Sequence, residues 1–86
     1  MQAQLKSHVV IRVESDDYAL LYDPHTGESF VLDPVGVFIC QRLDGEHTVG
    51  RIVEESSVAF DGMPENAAVQ VKEFVEDLVA KNLAEI

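Results

Sequence analysis

Apolar and polar residues alternate through the first third of the chain and then change to helical spacing. In His8–Glu14 (HVVIRVE), the β-branched Val9, Ile11 and Val13 share one face of a strand. Ser15-Asp16-Asp17 is a polar turn. Tyr18–Tyr22 (YALLY) then sets Tyr18, Leu20 and Tyr22 on one face and Ala19 and Leu21 on the other. In Asp23-Pro24-His25-Thr26-Gly27, proline presets one turn dihedral and glycine supplies a positive φ, so Glu28–Leu32 (ESFVL) returns antiparallel. The period changes at Asp33-Pro34, an N-cap followed by proline at the first helical position. Val35, Phe38, Ile39, Arg42 and Leu43 recur at helical spacing until Asp44-Gly45. Thr48 caps a second helix with Val49, Ile52, Val53, Ser56 and Phe60 inward, and Asp61-Gly62 breaks it. Pro64 restarts a longer helix that runs to about Asn82. The pattern predicts three strands, then three helices, with Leu83–Ile86 left as a short tail apolar at alternate positions.

The third helix carries more apolar surface than one packing contact uses. With Ala67 at zero and about 100° per residue, Phe74, Leu78, Val71 and Val75 fall between about −20° and +80°. Ala68 and Val79 extend one flank to about 120°, with Lys72 just beyond, while Gln70, Asp77 and Lys81 line the other. The flank of Ala68, Lys72 and Val79 is therefore a candidate binding wall.

At 86 residues the chain is expected to be one domain, residues 1–86, with little room for both a core and a deep dry cavity. Sixteen acidic against six basic residues give a net charge of −10, which disfavours nucleic acid and an anionic membrane face. One cysteine, Cys40, permits neither an internal disulfide nor a structural zinc site and points to a reducing compartment, hence the cytoplasm. The N-terminal apolar run, broken at Arg12, is too short for a signal peptide or membrane span. No phosphate loop, nucleophile elbow or zinc-helix motif occurs. His8, His25 and His47 read as exposed turn and strand-end residues without ligand spacing, and Cys40 as a small buried hydrophobe. No catalytic residue, metal site or cofactor is expected.

The run Leu20-Leu21-Tyr22-Asp23-Pro24-His25-Thr26-Gly27-Glu28-Ser29-Phe30-Val31-Leu32-Asp33 resembles the hairpin of the PqqD-like family. Leu43-Asp44-Gly45-Glu46-His47-Thr48-Val49 with Ile52-Val53 resembles its Leu-Asp-Gly motif with spaced Thr and Ile. Glu73-Phe74-Val75-Glu76-Asp77-Leu78 resembles its terminal helix. The likeness spans Tyr18 to Leu83, with Asp33 where the family often has asparagine. It implies an α+β, winged helix-turn-helix-like fold, a three-stranded antiparallel sheet followed by three helices. It also implies a RiPP recognition element that binds the leader segment of a ribosomally made precursor peptide and presents it to a modifying enzyme, commonly a radical-SAM protein. The pathway stays open between quinone-cofactor maturation, a lasso-type peptide and another radical-SAM cassette.

In that family the leader adds as a strand to the sheet edge beside the third helix. Carried to this chain, the edge is Glu28, Ser29, Phe30, Val31 and Leu32, with side-chain pockets formed against Ala68, Val71, Lys72, Val75 and Val79. Two other classes compete. A dimerisation or subunit module would pair the same edge with a second copy, so a monomer or weak homodimer is expected. A winged-helix DNA-binding domain would carry basic residues on the third helix, but Lys72 and Lys81 stand there among Glu65, Glu73, Glu76 and Asp77.

Overall fold

Turn chemistry sets the sheet. The computed structural model describes residues 2–86: β1 (Gln4–Leu5), β2 (Val10–Val13), β3 (Ala19–Asp23), β4 (Glu28–Leu32), α1 (Pro34–Gln41), α2 (Val49–Ala59), α3 (Ala67–Ala80) and β5 (Ala84–Glu85). At the β3–β4 turn Gly27 adopts φ +79° and donates its N–H to the Asp23 carbonyl at 2.8 Å. The antiparallel order is β2-β3-β4. Ile11, Leu21 and Phe30 lie in register on one face, as do Val13, Ala19 and Leu32. Ala19, Leu21 and Leu32 are buried, so this face packs on the helices and the alternation read from sequence holds.

Each helix begins where a side chain or turn satisfies its free N–H groups. Asp33 Oδ1 accepts from Gly36 N–H at 2.7 Å and Thr48 Oγ1 from Arg51 N–H at 3.1 Å. α3 starts later than Pro64, because Ala67 N–H donates to the Pro64 carbonyl and closes a turn before the helix. Its end is a Schellman turn: Asn82 takes φ 63°, Asn82 N–H reaches Val79 O, and Leu83 N–H reaches Leu78 O at 2.9 Å.

That turn produces the two elements absent from the sequence reading. It aims Leu83 into the core and lays β5 against β1, pairing Gln4 with Glu85 and Leu5 with Ala84. On its other side β1 meets the Leu-Asp-Gly segment, through Leu5 N–H to Leu43 O at 3.0 Å and Gly45 N–H to Ala3 O at 3.1 Å. Gly45 sits at φ +82°, the left-handed region that favours glycine, while the Gln4 side chain that a Cβ there would meet at 2.8 Å is free to turn aside.

Asp44 accepts N–H bonds from Glu46 and His47 and holds the His47 ring at 2.9 Å. The His47 side-chain bond, with these backbone bonds, lowers the Asp44 carboxyl to about 2. His47 Nε2 also reaches Glu55, which accepts from Arg42 at 3.0 Å and Arg51 at 3.2 Å. His47 is thus half-buried and bonded rather than the exposed residue expected.

Leu21, Leu32, Ile39, Ile52, Val71, Val75 and Leu78 form the heart of the core, and α3 packs on α2 and β5. Cys40 belongs to it at 2% exposure, and burial pushes its thiol up to about 12. Ellman's reagent is expected to leave the native protein essentially unmodified and to titrate one thiol in denaturant. Rapid native labelling would place Cys40 at the surface. Among the described residues no helix is long and apolar enough to cross a membrane.

Candidate functional site

β4 is an edge strand, and the hydrogen-bond phase fixes what it offers. Glu14 N–H donates to Tyr18 O across the first hairpin. By alternation, the main-chain groups of Leu20 and Tyr22 face β2, and those of Ala19, Leu21 and Asp23 face β4. Their partners Leu32, Phe30 and Glu28 point inward. Ser29 and Val31 therefore turn their N–H and C=O groups to the open side, and the Val31 side chain is 73% exposed.

Beside this edge runs a groove of about 430 Å³. One wall comes from β4 and α1: Val31, Leu32, Asp33, Val35, Gly36 and Ile39. The other comes from α3 and the turn before it: Met63, Ala67, Gln70, Val71 and Phe74. The wall is apolar apart from Gln70 and from Asp33, whose carboxylate caps α1. Lys81 Nζ stands 5.0 Å from the Phe30 ring centre and 2.7 Å from Asp77 Oδ2.

Of the sequence-derived candidates, the structure brings Val31, Leu32 and Val71 together at the groove, with Ser29 on the same edge. Glu28 and Phe30 direct their main chain into the sheet instead. Val75 is fully buried beneath the groove, and Ala68, Lys72 and Val79 do not line it. The α3 residues that line the groove lie toward the opposite flank, that of Gln70 and Phe74. Periodicity measures the width of an apolar stripe but not which flank a neighbour covers, and Val79 packs half-buried on the core. The sequence feature that relates to the groove-lining flank is Asp33-Pro34: α1 starts directly after β4, and its Val35, Gly36 and Ile39 share the groove with Gln70, Val71 and Phe74 of α3.

A family model described as "PqqD: Coenzyme PQQ synthesis protein D (PqqD)" matches residues 18–84. The chain belongs to the PqqD family. A PqqA binding protein of Rhizobium meliloti (strain 1021) is 33% identical over 72 residues, 74% of each chain. Among solved structures, TbiB1 in complex with the TbiA(beta) leader peptide superposes with a TM-score of 0.77 at 26% identity, over 95% of this chain and 94% of that one. Lasso peptide synthetase B1 complexed with the leader peptide gives 0.79 over the whole of both chains at 19% identity, a likeness of fold. The PqqD match begins at β3, so β1 and β2 lie outside it, yet the superpositions extend the shared fold over nearly all the chain.

Proposed function

We propose that this PqqD-family chain is a non-catalytic recognition protein that binds the leader segment of a ribosomally made precursor peptide. The observation that carries the reading is the pair of outward-facing peptide groups at Ser29 and Val31, set directly beside an apolar groove. An extended guest adds as a strand to β4, and every second side chain then projects into the groove. Main-chain pairing supplies affinity, and Leu32, Gln70, Val71 and Phe74 supply selectivity. A PqqA-binding relative and a structural neighbour holding a leader peptide support the same reading. The bound leader presents its core peptide to a modifying enzyme of the radical-SAM class in the cytoplasm.

The test is titration of the full chain with synthetic leader segments of candidate precursor peptides, the PqqA peptide among them. A dissociation constant of about 0.1–10 μM is expected, because ordering a flexible peptide offsets part of the contact energy. Amide shifts should concentrate at Ser29–Asp33 and Gln70–Phe74; shifts centred elsewhere would place the site on another surface. Substitution separates the two flanks of α3. Gln70→Trp puts an indole into the groove and should weaken the leader about tenfold, the scale of an overpacked contact. Lys72→Glu, off the groove, should change affinity less than about twofold. The reverse ranking would restore the Lys72 flank as the wall.

A further inference from the structure

The end of the sheet farthest from α1 gathers side chains that leader binding does not use. Continuing the Val10–Tyr22 register by two residues sets His8 opposite Pro24, between Asp23 and His25. His8 Nε2 lies 3.2 Å from Asp23 Oδ1, and the His8 and His25 rings stack with centroids 3.9 Å apart and planes 3° from parallel. One ligand atom from each of the three residues falls within 4.8 Å of the others. Asp23 is 4% exposed, His8 is half-buried and His25 is exposed. Burial pushes the Asp23 carboxyl up, but the His25 backbone N–H and the His8 imidazole pull it further down.

We propose that His8, Asp23 and His25 form a binding site for a divalent transition-metal ion of the zinc class. Two imidazole nitrogens and a carboxylate suit Zn²⁺, Co²⁺, Ni²⁺ or Cu²⁺ far better than Mg²⁺ or Ca²⁺, which take oxygen ligands. Two donors each about 2.0–2.1 Å from one tetrahedral ion stand roughly 3.3–3.4 Å apart, close to the 3.2 Å between His8 Nε2 and Asp23 Oδ1. His25 closes the set by side-chain rotation, which its exposure permits. Three protein ligands leave a coordination position open to water or to a donor from a partner.

The other histidine–carboxylate group is unlike this one. His47, Asp44 and Glu55 already hold two guanidinium groups, of Arg42 and Arg51, on Glu55, and an added cation would meet their charge. At the hairpin the ion would tie the β3–β4 turn to the chain entering β2. Its binding stands apart from the leader reading and is measured without peptide.

The experiment titrates the chelator-treated full chain with ZnCl₂ by calorimetry and thermal melting, with MgCl₂ in parallel. The expected result is one equivalent of Zn²⁺ bound with a rise in melting temperature, and no such response to Mg²⁺. His8→Ala and His25→Ala should each weaken Zn²⁺ at least about tenfold, while His47→Ala keeps wild-type affinity. Because His8→Ala could loosen the hairpin, Co²⁺ is added to the unaltered protein as a second probe. Its paramagnetism should broaden the ring signals of His8 and His25 before those of His47. Absence of saturable Zn²⁺ binding, wild-type affinity in either hairpin variant, or broadening led by His47 would overturn the assignment.

Discussion

Replacing Val31 with proline is expected to leave the protein folded and to weaken leader binding by about 10–100-fold. The Val31 N–H faces away from β3, so proline removes no bond of the native ladder; edge strands accept proline at such positions. The preceding residue, Phe30, is already extended, the conformation that proline favours in its neighbour. The loss falls on the complex. A guest carbonyl facing position 31 loses its donor and is buried unpaired beside the groove, a cost of about 1–3 kcal/mol. Calorimetry with wild type and variant, alongside circular dichroism, checks this. An unchanged dissociation constant with an intact fold would show that the guest does not pair with β4.

Most of the fold was written in local chemistry. Alternation gave β2, β3 and β4 because one face of the sheet is buried, and Asp33, Thr48 and Asp44-Gly45 marked the helix ends through side-chain oxygens and a positive φ. What stayed hidden depends on distant partners. β1 and β5 are two residues each, too short for any period, and their pairing joins Gln4 to Glu85 across the length of the chain. The site divided in the same way. The edge at Ser29 and Val31 could be read through the family resemblance, but the Gln70–Phe74 flank could not, because helical spacing is blind to what packs on either side. His8 and His25 were legible only once the Val10–Tyr22 register was known, since metal-ligand spacings within one element never bring residues 8 and 25 together. Local signals thus located the elements, and tertiary register decided which residues meet.

The terminal strand pair bears most directly on stability, and Leu83→Ala is the change that measures it. Leu83 is 1% exposed and follows the left-handed Asn82, so its position is fixed by the two Schellman bonds and it cannot swing to fill space elsewhere. Truncation leaves a cavity under β5 and α3 and should cost about 2–4 kcal/mol. Native stability for a chain of this size is about 5–10 kcal/mol, so roughly a fifth to four fifths of it is at stake. The melting temperature should fall by about 10–25 °C, and the urea midpoint should fall with little change in slope. Ile86→Ala, at a position 77% exposed, should stay within about 0.5 kcal/mol of wild type. Equal, small effects at both positions would mean that β5 frays from β1 in solution. While Leu83→Ala remains mostly folded its leader affinity should match wild type, because Leu83 does not line the groove and a folded fraction near one leaves the apparent constant unchanged. The contrast with Val31→Pro, which spares the fold and removes binding, separates the residues that build the cleft from those that occupy its rim.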